Sequence, residues 1–596
     1  MSAHQLQRVG IIPSAPSTVR ATPTSLSSHG SLVAYGSGNN VVVRDLAATG
    51  TESILCCWHH TSPVTAVRIS PSGKHVASGD QNGNVRLWAQ RADTHEVYNG
   101  RILEGPVRDI AWTNDEERIV AVGDGRNSFS AAISVSGNTI GSISGHTQNI
   151  LSCDVRGDRP FRAVTGSADT LVGFYEGVPF KFLRNVKEHN EKVMCVRYSP
   201  DMGTIATVAR TGDIVLLDGQ TAEKKGVIPT GHKGSIFSLA WSPDGKLIAT
   251  ASADKSVKIF DVVTASAIAT CTLGTRVMDM QQGVAYTTRG VVSVSFDGKL
   301  SLINQKGEVE HRFAGHQGRI LLVHKESDGT MVSVGVDRAL IWRAALTPES
   351  GEAREVPLSA ELITAATFKG GKLYLLAGNE LLRCGLDDDE PVVMLKEAAN
   401  AVTLTVTEDG AVVLLHRNGF TVADSTGRVV SEERLDKFDG SSAASHGNMI
   451  VLGGDKLARG YQVTAASPPE PKVVFSGHHS GTVACVAFSN DGQLVASGDA
   501  SRNIFVWSFT DGSVVYRDLV FHTLRVTSLT FAYDSNTRLF SGSMDASLIL
   551  WDLEAKTRRT EDAAHRGGVS AVFGAADGTL ISGGSDGCIR LWKSDK

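Results

Sequence analysis

Short runs in which apolar and polar residues alternate recur along the chain. Val193 to Pro200, Ile236 to Asp244 and Val483 to Asp491 each alternate and then stop at a Ser-Pro-Asp or Ser-Asn-Asp turn. Period-two alternation bounded by Gly and Asp predicts half-buried strands. A further run carries Trp at its end, as in Asn503 to Trp507, Ser547 to Trp551 and Cys588 to Trp592, and earlier in Val85 to Trp88 and Ala339 to Trp342. Ser/Gly-rich turns such as Ser541-Gly542-Ser543-Met544-Asp545 and Ser582-Gly583-Gly584-Ser585-Asp586 come just before these runs. No stretch sustains helical spacing with caps, so the predicted fold class is all-β.

The pattern repeats at a fixed period. From Trp88 to Trp592 is 504 residues, which twelve equal intervals divide into 42 each. That lies inside the roughly 40–45-residue period of a WD-type β-propeller blade. Gly145-His146, Gly231-His232, Gly315-His316 and Gly477-His478 each stand about 20 residues before a turn. Imperfect copies bring the blades to about fourteen, from 21–46 to 565–592, with degenerate ones between 275 and 463. One ring of that many blades would leave a wide hole, and propellers close with about four to eight. The expected architecture is therefore two tandem seven-bladed WD-repeat β-propellers, 21–313 and 314–596, after an N-terminal segment 1–20. The last repeat ends after its third strand, at Trp592. Arg8-Val9-Gly10-Ile11-Ile12 is expected to supply the missing outer strand and cover an open edge.

Composition narrows the function more than the fold. A chain of 596 residues is too long for one ordinary core. A net charge of −5 offers no basic footprint for nucleic acid. The eight cysteines form no CxxC pair and several sit in apolar runs, as expected of reduced, buried residues. Met1 to Pro13 lacks the features of a signal peptide, and no apolar run approaches the roughly 20 residues of a membrane helix. A soluble, cytoplasmic protein and a monomer are expected, with no nucleic-acid or membrane partner.

His232 with Asp254, His522 with Asp545, and His565 with Asp586 recur at spacings of 22, 23 and 21. A catalytic triad is a single, specially activated site. The same residues in blade after blade predict instead a structural network in which His donates to the turn Asp while a strand Ser or Thr and the Trp complete it. No phosphate loop, HExxH helix or GxSxG elbow occurs. Gly79-Asp80-Gln81-Asn82-Gly83 and Ser293 to Gly298 lack the acidic spacing of a calcium loop. The acidic run Asp387-Asp388-Asp389-Glu390 reads as a solvated loop. No enzyme activity, cofactor or metal is expected.

Several stretches are more specific than the fold: Ala77-Ser78-Gly79-Asp80 through Trp88, Arg159-Pro160-Phe161-Arg162 leading to Thr165-Gly166-Ser167, and Ala251 to Ile259 followed by Gly274-Thr275-Arg276. Most telling is Glu176-Gly177-Val178-Pro179-Phe180-Lys181-Phe182, followed by Glu188-His189 and Val196-Arg197-Tyr198-Ser199-Pro200. In this order and at this length the chain resembles the actin-interacting protein 1 family. The likeness spans the whole chain and is weakest around 345–465. It implies a cytoskeleton-associated protein that binds cofilin (ADF)-decorated actin filaments, promotes severing or subunit loss, and restrains barbed-end growth. It also implies contacts through Gly123–Phe129, Ser167–Asp169, Phe180–Phe182 and Glu191–Lys192.

The candidate actin- or cofilin-binding residues are thus Arg126, Asn127, Asp169, Phe180, Lys181, Phe182 and Lys192. Phe180 and Phe182, expected in an inter-blade link around Lys181, are the anchors to weigh most, since exposed aromatics make interface hot spots. Arg126 could pair with an acidic patch, and Asp169 doubles as the turn Asp of its blade. The chain departs from the family at Ala168-Asp169, where an acidic pair is usual, near Asn127, where an acidic residue is usual, and near Lys192, where an aromatic is usual. A general WD-repeat adaptor of another complex is the competing reading.

Overall fold

The structure is a computed structural model that describes residues 6–20, 22–48, 53–57, 60–89, 96–126, 128–157, 159–343, 353–358, 362–398 and 400–594. Among these, fourteen four-stranded antiparallel sheets and a short 3-10 turn at Val277–Asp279 make up the regular structure. The chain divides into two compact units, one of residues 15–314 and one of 1–14 with 315–596. Each holds seven of the sheets, so each is a seven-bladed propeller.

Burial within a blade follows strand order. In the second blade the inner strand Val64–Ile69 is buried except at Thr65 and Arg68, the next strand His75–Asp80 is buried at every position after the first, and the outermost strand Glu96–Arg101 is half-buried or exposed throughout. A middle strand has a neighbouring blade on each face, so both sets of side chains are apolar or small; an outer strand meets water on its far side. Register shifts by one residue near the start of the inner strand, at Val64/Ala66, Val107/Asp109, Val526/Ser528 and Val569/Ala571 among others. The extra residue of this bulge often reaches the next blade. Thr65 Oγ1 donates to the Val107 carbonyl at 2.6 Å, and Thr527 does the same to Val569. A second bulge recurs in the outer strands, at Leu87/Trp88 and Phe174/Tyr175 for example, which bends the exposed edge and discourages edge-to-edge pairing.

Tight stacking explains the Ser-Gly pairs. Ser541 and Gly542 lie inside the strand Arg538–Ser543 and not in a turn, contrary to the sequence reading. A Cβ on Gly542 would stand 2.4 Å from the Val569 side chain of the next blade, and one on Gly583 would stand 2.5 Å from Ile320.

Each ring closes on itself. In the first, Ser28 Oγ donates to the Tyr286 carbonyl at 2.6 Å and the Thr24 amide to the Gln282 carbonyl at 3.0 Å, joining first blade to seventh. In the second, Ser570 Oγ donates to the Ile320 carbonyl at 2.6 Å. The fourth strand of the last blade is Leu6–Ile12, antiparallel to Ile589–Ser594 with Leu6 opposite Ser594 and Ile12 opposite Ile589. Leu6 and Ile11 are buried there. Residues 15–20 behave differently from the strand before them. Ser17 bonds to Gly36 and Gly38, and Thr18 to Phe296, all in the first unit.

Deleting residues 1–12 removes two buried apolar side chains and a whole strand. The unfolding transition of the second propeller is expected to lose at least about 3 kcal/mol, read by calorimetry beside the intact chain.

Candidate functional site

The repeated histidines sit just ahead of the inner strands and the aspartates in the turn between second and third strands, so antiparallel alternation brings both to one face of the ring. His232 Nδ1 lies 2.8 Å from Asp254 and its Nε2 2.8 Å from Thr250 Oγ1. His522 sits between Asp545 and Ser541, and His565 between Asp586 and Ser582, with the same geometry. The carboxylate fixes the tautomer: Nδ1–H donates to Asp and Nε2 accepts from the hydroxyl. In the second ring the Trp completes the chain, Trp551 Nε1 donating to Ser541 Oγ at 2.8 Å and Trp592 to Ser582 at 2.8 Å.

The same brace occurs in blades where the sequence reading did not pair the residues, although Asp169 was already expected as the turn Asp of its blade. His60–Asp80–Ser78 and His146–Asp169–Thr165 hold the second and fourth blades. His316–Ser333–Trp342 and His479–Asp499–Ser497–Trp507 hold the eighth and twelfth. The Gly477-His478 pair is one residue out of step: His479 makes the bonds, and His478 stacks on Phe505 and Trp507 at 5.5 Å. The available signal was the interval itself, since Asp follows His by 20 to 23 residues in the hydrogen-bonded pairs. The seryl and threonyl oxygens are fully buried, Ser497, Ser541, Ser582 and Thr250 all at 0% exposure, so no substrate reaches them.

Electrostatics match a static brace. Burial works to raise the Asp254 carboxyl, yet the Ser256 hydroxyl, His232 and the Lys233 amide hold it down at about 2. Asp545 and Asp586 are likewise held well below the usual carboxylate range. Burial lowers His232 and His565, so the pairs are carboxylate and neutral imidazole at neutral pH. In the fifth blade His189 bonds Thr207 at 2.8 Å, and burial, opposed by Glu188, lowers it to about 4. Among the described residues, no group of three or more His, Cys, Asp or Glu is placed to hold a metal ion. Six of the described cysteines are buried, and burial pushes Cys485 up to about 12. Among the described residues no helix is long and apolar enough to cross a membrane.

The candidate contact residues fall in three places. Arg126 lies in the second-to-third-strand turn of the third blade, exposed, its amide bonded to Glu104 at 3.1 Å; Asn127 lies outside the described residues. Asp169 is the brace of the fourth blade, accepting from the amides of Thr147 and Leu171 as well as His146. Lys192 is exposed just before the inner strand of the fifth blade, and its carbonyl accepts the Arg210 amide at 2.9 Å. With Ala168, Asn149, Gln81 and the Arg108–Asp124 ion pair, it rims a cavity of about 450 Å³ at the channel mouth.

Phe180–Phe182 do not form an inter-blade link. Lys181 opens the outermost strand of the fourth blade, Lys181–Val186, on the rim. Phe180 is a correction: it is 5% exposed and packs with Val120, Ile143 and Tyr175. The turn before it, with Gly177 at φ +78°, folds the ring back between third and fourth blades. Phe182 stays 42% exposed, edge-on to Tyr175 at 5.8 Å and over Gly145, where a Cβ would meet its ring at 2.5 Å. Lys181 is exposed beside it.

Fourteen propeller blades, eight of them braced by a His with Ser or Thr and, in most of these, the turn Asp, define a WD-repeat protein whose braces hold no reaction centre. The sequence pattern described as "WD domain, G-beta repeat" matches residues 51–89, 224–261, 469–508, 513–552 and 557–593. The chain is 30% identical to WD repeat-containing protein 1 of Xenopus tropicalis over 94% of each chain. It is 31% identical to the 66 kDa stress protein of Physarum polycephalum over 97% of each, and 30% identical to Actin-interacting protein 1 of Caenorhabditis elegans over 99% of each. The chain belongs to the actin-interacting protein 1 family.

Because the unfolded chain protonates a histidine near 6.5 and folded His189 near 4, the first propeller is expected to lose stability as pH falls from 6.5 to 4. His189→Asn should flatten that part of the curve. Asp254 contributes stability above 3.8 that is lost as pH falls towards 2. Asp254→Asn should flatten only that acid limb and cost about 1–3 kcal/mol at neutral pH. Urea titrations across pH read both.

Proposed function

We propose that this protein docks on actin filaments carrying cofilin, promotes their disassembly and restrains barbed-end growth, through protein–protein contact alone and as a cytoplasmic monomer. The observation that carries the reading is likeness over 99% of both chains to a protein named for its interaction with actin. A match confined to the repeats would have supported only a shared fold.

The first propeller offers the contact groups. Phe182 supplies an exposed aromatic that is already held in place by Tyr175 and Gly145, so little side-chain freedom is lost on binding. Arg126 and Lys192 supply exposed cations on the adjoining face. Asp169 serves the fold first, since its carboxylate already accepts from His146 and two amides. At Ala168 and Lys192 the family's acidic and aromatic groups are replaced by a methyl and a cation, so the partner surface facing this mouth is expected to be more acidic.

Co-sedimentation with actin filaments tests the reading. Actin should move to the supernatant when this protein and cofilin are both present, and much less with either alone. Absence of association in both conditions would return the protein to the general adaptor class. Phe182→Ala is expected to weaken the cofilin-dependent release by about fivefold or more with little change in melting temperature. Phe180→Ala should instead cost about 3–5 kcal/mol of stability, measured by urea unfolding.

A further inference from the structure

In the second propeller the residues directly preceding the seven inner strands are Arg319, Leu362, Asn400, Ser441, Thr482, Arg525 and Gly568. Only two of them are charged, and they flank one blade. Arg525 precedes Val526–Phe531, Gly568 precedes Val569–Gly574, and Arg319 precedes Ile320–Lys325. The bonds from Thr527 to Val569 and from Ser570 to Ile320 make these three strands consecutive in the ring. All three positions have the same backbone setting. The carbonyls of Arg525, Gly568 and Arg319 accept the amides of Met544, Ser585 and Val336, each at 3.0 Å. Two guanidinium side chains therefore stand on either side of a position that has no side chain at all. Gly568 has φ +106°, and a Cβ there would come within 2.8 Å of the Met544 Cα.

Among the described residues neither Arg319 nor Arg525 has a carboxylate partner or a side-chain hydrogen bond. Both are exposed. Burial and then the like charge of Arg525 lower the Arg319 guanidinium from its ordinary range. Beside them lie large apolar side chains in water: Leu524 at 52%, Met544 at 50% and Phe521 at 46% exposure. Ser543 Oγ donates to the carbonyls of both Leu524 and Arg525, fixing the backbone from which the two side chains project. Arg558 stacks on Phe521 with its guanidinium carbon 3.3 Å from the ring centroid.

We propose that this corner of the second propeller is a docking site for an acidic segment of a partner protein, in which a carboxylate bridges Arg319 and Arg525 and a neighbouring apolar side chain covers Leu524 and Met544. Charge complementarity selects the carboxylate: two like charges held together gain most from one shared counter-charge, and guanidinium matches carboxylate in shape. The apolar rim selects a protein segment over a free anion. A phosphate site would want free backbone N–H groups, and the amides of Met544, Ser585 and Val336 are already committed to carbonyls.

The site is independent of the reading given under Proposed function and is tested without actin. Full-length protein is used to select from a displayed library of random peptides, and the recovered peptides are measured by fluorescence anisotropy. Peptides carrying Asp or Glu next to Leu, Phe or Trp should be enriched. An Arg319→Gln, Arg525→Gln double variant should bind them about tenfold more weakly or worse while melting no lower than the parent, because a repulsion has been removed. Leu524→Ser should weaken the same peptides and leave inorganic phosphate without effect. Enrichment of peptides lacking acidic residues, equal binding by the double variant, or displacement of the peptide by inorganic phosphate would each overturn the proposal.

Discussion

A ring of sheets carries a constraint that a stack of sheets does not: the last blade must meet the first, and every blade before it must turn through the same angle for that to happen. The joints are made by the inner strands. At most of them one bulged residue leaves the register of its own sheet, and at several it bonds the neighbouring one, as Thr65 does to Val107 and Ser570 to Ile320. The glycines of the second strands let the blades approach closely enough for these bonds, because Val107, Val569 and Ile320 occupy the space where a Cβ of Gly79, Gly542 or Gly583 would sit. Closing bond, bulge and glycine are one device seen from three sides. In the second ring it is reinforced by a strand drawn from the opposite end of the chain, so the edge that Ile589–Ser594 would otherwise expose is paired.

The first ring adds an ionic tie across its inner strands. Asp109 accepts from Arg197 at 2.7 Å, from Ser152 at 2.8 Å and from the Cys153 amide at 3.1 Å. Arg68 reaches the Ile110 carbonyl at 2.8 Å and lies 3.7 Å from Asp154. Burial alone would raise the Asp109 carboxyl, but Arg197 and Arg68 hold it low. Four consecutive blades are thereby linked by a buried network whose members satisfy one another, the condition under which buried charge is tolerated. The His braces obey the same rule one layer out. They resemble a hydrolase triad in composition, and differ in that the hydroxyl is sealed from solvent and, in the second ring, already receives a Trp N–H.

Sequence periodicity carried the architecture because the blade is a local unit: Trp507, Trp551 and Trp592 recur 44 and 41 residues apart because each lies near the end of its blade's third strand and bonds the equivalent Ser. The braces were legible where His and Asp kept their interval, as at His232 and Asp254. They were blurred where two histidines are adjacent, because only packing tells His479, with Asp499, from its neighbour stacked on Phe505. Most blades of the degenerate stretch between 275 and 463 lack the brace among the described residues, although the eighth keeps His316 with Ser333 and Trp342; in the seventh, Ser293 bonds Gln281 instead, at 2.6 Å. Phe180 was illegible for a different reason. Its position depends on a turn that folds the chain back under the third blade, and nothing in an alternation of Phe, Lys and Phe says which ring faces inward.

That reversal changes what the candidate residues can do together. With Phe180 in the core, the rim of the fourth blade presents Phe182 and Lys181 on its outermost strand, while Arg126 and Lys192 stand at the ends of strands, on the face where the inner strands begin. A partner that touches both groups must cover the edge of the ring between them and so must present a concave or two-part surface. A standard interface buries about 800 Å² on each partner, enough to span a blade from rim to channel mouth. The geometry of blades three to five thus sets the shape that a partner touching all of these candidate residues would need.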